Sequence, residues 1–253
     1  HILGVRDQRI PFDGLEFVAT TLQPAEVGRG TGYKIFAVRW PVIRHIRGEG
    51  LLLIPDREAP AARVIAIPDA DQTPEAICGL TAGVPPASQF ARRLAENGCL
   101  VLVPTLINRE LQARQGRATL TSREYLYRSA FELGRHLIGY EVQKVLAGID
   151  WFIKDAGAGG TKIGVMGWGE GGLLALYAGA RDPRIDAVCV SGYFDSRQNL
   201  WQEPLDRNVF GLLDQFGDAE LASLIAPRRL IVEACRGPEL ELPSKGGAPA
   251  RLV

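Results

Sequence analysis

A glycine-rich turn at residues 167–171 is the part of this sequence that most resembles a catalytic motif. From Ile163 the sequence reads IGVMGWGEGG, so an apolar, strand-like run passes directly into a helix-like run. In the G-x-S-x-G motif, such a turn holds a serine nucleophile in a strained backbone conformation at the edge of a sheet. Gly169 stands where that serine would be, and glycine adopts the same backbone without strain. The spacing therefore predicts a strand–turn–helix that keeps its shape and lacks the nucleophile.

The same glycines also match the dinucleotide-binding pattern G-x-G-x-x-G, through Gly167, Gly169 and Gly172. Asp195 follows the next strand-like run, near the place where a ribose-binding acid would lie. The dinucleotide pattern, however, normally opens its domain and is followed by several more strands. Here at least three strand-like runs precede the turn and only two follow it, which favours the nucleophile turn. We therefore expect no bound cofactor, and a dinucleotide-binding oxidoreductase stays as an alternative.

The partners that a nucleophile would need are incomplete. In the hydrolytic motif the order along the chain is nucleophile, acid, histidine. The histidines of this chain all precede the turn: His1, His45 and His136. Three acidic residues follow it at positions suited to the acid: Asp195, Glu233 and Glu239. The helical surroundings of His136 favour a hydrogen-bonded structural role, and the charged surroundings of His45 favour a surface position.

Polar and aromatic groups near the predicted strand ends could line a ligand site. Ligands of open α/β sheets bind where turns leave the carboxyl ends of the strands. Four turns do so here: Pro68–Glu75, Pro104–Arg109, Gly167–Gly171 and Ser191–Asp195. The backbone N–H groups of Glu170 and Asp69 would form what remains of an oxyanion hole. The carboxylates of Asp69 and Asp71 could bind a polar ligand, although capping of the following turn is favoured. Trp168 and Tyr193 could stack on a ligand, with core packing as the alternative.

Cys189, Ser191 or a residue outside this segment could replace the missing nucleophile, whereas a reactive thiol at Cys235 would need an electropositive setting, to which only Arg236 contributes in sequence. A cysteine in an apolar strand usually packs as a small hydrophobe, and a serine at a turn usually bonds locally. Structural roles are therefore favoured, and an active ester hydrolase with an atypical nucleophile stays as a second hypothesis. The cysteines show no metal-like spacing, so we expect no metal site.

The elements that position these residues follow from the apolar periodicity. Residues 1–60 are rich in β-formers and predict a β extension, whereas residues 61–253 alternate strands and helices. The predicted strands are Leu15–Thr21, Lys34–Ile43, Gly50–Ile54, Val64–Ile67, Leu100–Val103, Ile163–Met166, Ala187–Val190 and Leu230–Ala234. The predicted helices are Ser88–Asn97, a region Arg123–Asp155 broken near Gly134 and Gly139, Glu170–Ala180 and Asp218–Ile225, with a loop over Gly237–Ala250.

Three segments resemble the bacterial α/β-hydrolases of the dienelactone-hydrolase and acetyl-xylan-esterase type: Gly134–Gly139 with Glu141-Val142 and Ile149-Asp150, Gly164–Gly172, and Asp182–Ile185 through Ser191–Phe194. The resemblance runs from about Val64 to Ala234. It implies an α/β-hydrolase-type, mostly parallel sheet with helices on both faces, preceded here by the N-terminal β extension. It also implies a serine, an acid and a histidine acting on an ester. Because Gly169 replaces the serine and no histidine follows, we expect a catalytically impaired or non-catalytic ligand-binding or structural module.

Composition narrows the partners of the chain. The 29 Lys and Arg residues balance the 29 Asp and Glu residues, which gives no reason to expect a nucleic-acid partner. No apolar run reaches the length of a membrane span. A small-molecule or carbohydrate-ester ligand fits the resemblance best. We expect this chain to be part of a longer protein, without the last strand and helix of the fold, so that Leu230–Ala234 forms a sheet edge that the tail covers or that associates with another chain.

Overall fold

The fold is a mixed sheet with helices packed against both faces, as seen in a computed structural model that describes residues 2–114, 116, 118–157, 160–243 and 246–252. The predicted α/β fold is confirmed. The strands are β1 (Glu16–Phe17), β2 (Glu26–Gly30), β3 (Tyr33–Ile43), β4 (Ile46–Pro55), β5 (Arg63–Ile67), β6 (Leu100–Pro104), β7 (Leu111–Arg114), β8 (Ala118–Thr121), β9 (Ile163–Trp168), β10 (Ala187–Ser191), β11 (Arg229–Glu233), β12 (Leu240–Leu242) and β13 (Ala250–Leu252).

The main sheet has the strand order β1-β3-β4-β6-β5-β9-β10-β11, and β2 pairs with β3. Strands β6, β5, β9, β10 and β11 run parallel to one another, because a helix or a long connection separates each from the next. Strands β1 to β4 join as an antiparallel extension, with β4 pairing antiparallel to β6. The carboxyl ends of the parallel strands therefore meet at one edge, where the candidate site lies.

Six helices are described: α1 (Pro74–Cys78), α2 (Phe90–Glu96), α3 (Ser122–Glu132), α4 (Leu137–Ala156), α5 (Glu170–Arg181) and α6 (Asp218–Ser223). The predicted break near Gly134 is present, since Gly134 has a φ of 65° between α3 and α4. The predicted break near Gly139 is wrong. Gly139 lies inside α4, where the Leu3 carbonyl oxygen would be 2.1 Å from a Cβ on it, so glycine there allows close packing of the N-terminal segment.

The core forms two layers because alternate residues of each strand point to opposite faces. In β5, Val64 and Ala66 belong to the apolar cluster with α1 and α2, whereas Ile65 and Ile67 belong to the cluster with α4 and α5. Helix α4 is the longest helix described, and its buried apolar stripe lies across the centre of the sheet. This packing fixes the strands whose carboxyl ends carry the site.

Strand β11 is the edge strand of the described sheet, as expected, with Cys189 of β10 in register with Ile231. The apolar composition of this strand is typical of strands that are buried on both faces of a parallel sheet, but β11 is not buried in this way. Ile231 is 55% exposed and Val232 is 42% exposed, because within the described residues nothing pairs with the outer side of β11.

Two further expectations need correction. The predicted strand Leu15–Thr21 shrinks to the two residues of β1, which pair with Val38 and Arg39 of β3. The predicted loop Gly237–Ala250 is not loop throughout, because it includes β12, which pairs antiparallel with β13. Short apolar runs lie on either side of the proline- and glycine-rich centre of this segment and form the two strands. Within the described residues, no helix is both long and apolar enough to span a membrane.

Candidate active site

Gly169 lies at the turn between β9 and α5, with a φ of 58° that side chains rarely tolerate. Its N–H donates to the carbonyl oxygen of Ser191 at 3.0 Å, which ties the turn to β10. The neighbouring glycines allow very close packing. A Cβ on Gly167 would lie 2.0 Å from the Gly171 carbonyl oxygen, and a Cβ on Gly171 would lie 2.1 Å from the Ile67 carbonyl oxygen. The glycine spacing thus produces the sharp strand–turn–helix that the sequence predicts.

The carboxylate of Asp69 occupies the space in front of this turn. Its Oδ1 accepts the N–H of Glu170 at 2.8 Å, which is the first N–H of α5 and the expected oxyanion-hole donor. A Cβ on Gly169 would lie 2.5 Å from the same Oδ1 and 2.9 Å from Cδ of Pro238. The position where a nucleophilic side chain would begin is therefore filled by a carboxylate and a proline ring.

Asp69 is fixed by further bonds. Its Oδ2 accepts from Nη1 of Arg109 at 2.7 Å and from the N–H of Asp71 at 3.0 Å. Its own N–H donates to Oε1 of Gln72 at 3.2 Å, so the expected second oxyanion-hole donor already has a partner. Burial raises the pKa of the Asp69 carboxyl, but Arg109 and the two N–H groups outweigh it and hold the pKa below its usual value. Asp69 is a buried carboxylate, and it also makes the local turn bond expected for it.

Glu170 directs its side chain away from the turn opening and into a buried cluster of arginines. It is fully buried, and its oxygens accept from Arg109 Nη2 at 2.9 Å, Arg123 Nη2 at 2.8 Å and Arg207 Nε at 2.8 Å. Burial raises the pKa of Glu170, but the three guanidinium groups outweigh it and hold that pKa far below the usual range. Glu170 is therefore locked as an anion and cannot act as a base near neutral pH.

The arginines around Glu170 each have another acidic partner, so no guanidinium charge of the cluster depends on Glu170 alone. Arg123 Nε lies 2.6 Å from an oxygen of Asp206, and Arg207 Nη1 lies 3.0 Å from one of Glu203. Burying this many charges is costly unless each is paired. We name Asp69, Arg109, Arg123, Glu170, Asp206 and Arg207 the arginine cluster.

No sequence pattern predicts this cluster. Arg109 ends one of the four turns named above, but nothing marks it as buried, because its partners come from distant parts of the chain. The one available signal is that an acidic residue, Glu170, sits inside a glycine-rich turn and at the start of an apolar helix, where its neighbours are all buried.

The three candidate acids are dispersed and exposed. Asp195 accepts the N–H of Ser196 at 2.7 Å, so its side chain makes a local turn bond. Glu233 ends β11 with its side chain in solvent, and Glu239 lies 3.7 Å from Arg236 on the surface. No histidine among the described residues contacts any of the three.

The two described histidines have structural positions, and His1 lies outside the described residues. His136 caps α4: Nδ1 accepts the N–H of Ile138 at 3.0 Å, and Nε2 lies 3.1 Å from the Asn208 carbonyl oxygen. Burial lowers the pKa of His136, and both ring nitrogens are already used. His45 is exposed in the turn between β3 and β4, with a φ of 66°.

The alternative nucleophiles have no base beside them. Burial raises the pKa of Cys189 to about 11, with a further contribution from Glu233, so its thiol stays protonated at neutral pH. The hydroxyl of Ser191 lies 3.1 Å from the sulfur of Cys235 and makes no contact with a histidine. Activation of a serine or cysteine needs a base or a cationic setting; no described histidine contacts these groups, and the carboxylate of Glu233 raises the pKa of the Cys189 thiol instead of lowering it.

The aromatic candidates divide between core and groove. Tyr193 is buried, with its hydroxyl 3.4 Å from that of Tyr177 and the Arg197 guanidinium stacked 4.1 Å from its ring centroid, so it belongs to the core. Trp168 is partly exposed and donates from Nε1 to the Arg236 carbonyl oxygen at 3.2 Å. It lines a groove of about 800 Å³ between α2 and the outer strands. Asp71 bridges to Arg109 at 3.0 Å and does not line this groove.

Several solved structures share this fold. A candidate acetyl xylan esterase from Bacteroides fragilis superposes with a TM-score of 0.65 at 19% identity, over 86% of this chain and 63% of its own. This chain thus spans less than two thirds of that protein. Acetyl xylan esterase 1 from Thermoanaerobacterium sp. gives a TM-score of 0.51 at 15% identity, over 88% and 72% of the two chains. A glucuronoyl esterase from Solibacter usitatus gives 0.52 at 12% identity, over 91% and 70%.

No curated protein sequence matches the chain at a significant level. A sequence profile of the dienelactone hydrolase family, however, matches residues 50–207, which is more than half of the chain. The matched stretch includes the second half of β4, strands β5 and β6, the turn at Gly169, helix α5 and the arginine cluster. The resemblance drawn from the sequence is confirmed at this level, and the chain belongs to the dienelactone hydrolase family.

Proposed function

We propose that this chain is a non-catalytic relative of the ester hydrolases that uses the fold to bind a small-molecule or carbohydrate-ester ligand. One observation carries the proposal: Oδ1 of Asp69 accepts the N–H of Glu170 at 2.8 Å and lies 2.5 Å from where a side chain at position 169 would begin. The carboxylate thus takes the place of both the nucleophile side chain and the oxyanion.

The charge of Asp69 argues against turnover as strongly as its position does. An oxyanion hole works by presenting donors to a negative oxygen that develops in the transition state. Here the N–H of Glu170 already donates to the negatively charged carboxylate of Asp69, which would repel a second anion that formed beside it. Removing a complete catalytic triad leaves roughly 10³- to 10⁴-fold acceleration when the oxyanion hole survives. With the hole occupied, even that residual activity is not expected.

The same bond argues against a dinucleotide site. A pyrophosphate would bind at the N-terminus of α5, but Asp69 accepts the Glu170 N–H and Pro238 lies over Gly169. The literal glycine match therefore supports a tight turn and not a cofactor site.

The groove beside Trp168 supports ligand binding. Its lining includes the apolar side chains of Phe90, Leu94 and Met166. It also includes the charged side chains of Glu233 and Arg236. A volume near 800 Å³ is in the range of small-molecule sites. Proteins of related fold are an acetyl xylan esterase and a glucuronoyl esterase, which is why we propose a carbohydrate ester as the ligand class.

The first test is hydrolysis of p-nitrophenyl acetate by the purified chain. We expect no saturable turnover near about 1 s⁻¹, the low end of ordinary enzymes, and no covalent labelling by a fluorophosphonate. The Gly169→Ser variant should also stay inactive, because its side chain meets Asp69 and no base is present. Gly164→Ser on the same strand is the matched control for folding, since its nearest neighbour is 3.6 Å from the Cβ position. Saturable turnover that disappears in Cys189→Ala, Ser191→Ala or Cys235→Ala would establish an atypical nucleophile and reject the proposal.

The second test is binding in the groove. Binding of acetylated xylo-oligosaccharide is measured by calorimetric titration, and we expect Trp168→Ala to weaken binding by about 10-fold, as for a stacking aromatic group. Trp201→Ala is the matched control, because Trp201 is 79% exposed and does not line the groove. Equal affinity of the two variants, or no binding by the unmodified chain, contradicts this ligand class.

A further inference from the structure

Lys144 on α4 is an unpaired cation next to a cavity. Its Nζ donates to the Thr105 carbonyl oxygen at 2.6 Å, and no carboxylate among the described residues lies within ion-pair distance of it. Every buried arginine of the described chain, by contrast, has an acidic partner: Arg63, Arg109, Arg123, Arg197 and Arg207. Burial lowers the pKa of Lys144, and it outweighs the opposing effect of Glu141 and Glu49, the carboxylates that act on the ammonium group from beyond ion-pair distance.

The cavity beside Lys144 measures about 600 Å³ and lies between β4, the loop after β6, the start of α3 and α4. Two further cations line it, Arg47 and Arg114, which come from different strands. Glu49 is the one carboxylate of its lining, and its Oε2 lies 3.6 Å from Nη2 of Arg39. The lining therefore carries three positive charges and one negative charge.

Arg114 adds a second positive charge that is held in place at the cavity. Its guanidinium stacks 4.2 Å from the ring centroid of Tyr125, which holds it against the cavity wall. Its Nε is buried and has no hydrogen-bond partner. Arg47 lies at the rim, where its Nη1 pairs with Glu16 at 3.1 Å.

We propose that this cavity binds a small organic anion whose carboxylate or phosphate group neutralises Lys144. Arg114 and Arg47 add positive charge around that group, and Leu106 and Leu126 offer apolar contacts to the rest of the molecule. No residue of this lining belongs to the turn at Gly169, to the groove beside Trp168 or to the arginine cluster. The site is thus separate from the proposed carbohydrate-ester site, and its test does not depend on that proposal.

The experiment is a calorimetric titration with phenyl phosphate and with benzoate, which separates the two anionic groups, and with neutral benzyl alcohol. We expect at least one anion to bind with a Kd at or below about 1 mM and benzyl alcohol not to bind. Lys144→Met should weaken anion binding about 10-fold, the scale of one charge-assisted hydrogen bond. Lys34→Met, on the exposed face of β3, is the matched control and should bind like the unmodified chain.

The Glu49→Gln variant tests the proposal even if the Lys144→Met variant does not fold. Removing the one carboxylate of the lining should tighten anion binding by a few fold, because a like charge next to the site is lost. The proposal is overturned if neither anion binds more tightly than about 10 mM, if benzyl alcohol binds as well as the anions, or if Glu49→Gln weakens binding. Unchanged affinity in a folded Lys144→Met variant also overturns it.

Discussion

The buried carboxylate of Glu170 makes a quantitative prediction about stability. Glu170→Gln keeps the shape of the side chain and removes one negative charge that three guanidinium groups share at 2.8–2.9 Å. Breaking a buried ion pair from one side costs about 3–5 kcal/mol. The lower end applies here, since each arginine keeps another carboxylate and glutamine still accepts hydrogen bonds. We expect a loss of about 3 kcal/mol, or about 6–12 °C in Tm for a chain of this size.

The pH dependence gives the same prediction a second readout. Because the arginines hold the pKa of Glu170 below its value in the unfolded chain, its contribution is complete above the unfolded pKa and is lost as the pH falls. The difference in unfolding free energy between the unmodified chain and Glu170→Gln should therefore narrow by about 1 kcal/mol between pH 7 and pH 3.5.

Urea denaturation at both pH values, with thermal melting at pH 7, measures this effect. Glu58→Gln is the matched control, since Glu58 is exposed and substitutions at such sites change stability by less than about 0.5 kcal/mol. If Glu170→Gln melts within 2 °C of the unmodified chain, or if the difference is the same at both pH values, the arginine cluster does not stabilise the fold in this way.

Two further predictions concern the strands at the candidate site. The Gly167→Ala substitution should lower the free energy of unfolding by about 3 kcal/mol or prevent folding, because its Cβ would lie 2.0 Å from the Gly171 carbonyl oxygen. The Gly164→Ala substitution on the same strand should change that free energy by less than about 1 kcal/mol, and equal urea midpoints for the two variants would contradict the close approach of β9 and α5. At pH 7.5 iodoacetamide should label exposed Cys235 well before Cys189, whose pKa is raised to about 11 by burial, and peptide mass spectrometry that finds Cys189 labelled first would show a reactive thiolate there.

The sequence is sufficient to predict the parallel strands and the turn, because both are local patterns. Short apolar runs such as Leu100–Val103 and Ile163–Met166 are bounded by glycine or proline, and the structure places strands over both. The glycines at 167 and 171 predict close packing of strand and helix whatever the residue between them. Edges are harder to predict: Leu230–Ala234 has the composition of a central strand, yet Ile231 is exposed, since burial depends on what lies beside a strand.

The contacts of the candidate site are harder to predict from the sequence, because they join residues that are far apart along the chain. Asp69 reads as a turn cap or a backbone donor, and it does accept the N–H of Asp71, but its contact with Glu170 spans 101 positions. Arg109, Arg123 and Arg207 have no pattern that distinguishes them from surface arginines. Their burial follows from the meeting of the loop after β6, the start of α3 and the segment after β10 at one edge of the sheet.

The 2.5 Å between Asp69 Oδ1 and the Cβ position of residue 169 also constrains history. A serine at this position would require the Asp69 side chain to move, so a serine and this position of the carboxylate are coupled: one could enter only as the other shifts. A serine at position 169 would contact Asp69 and Pro238 at less than van der Waals distance. A serine at position 169 alone would therefore crowd the turn without placing a histidine beside it, so gaining a working nucleophile here would take more than one substitution.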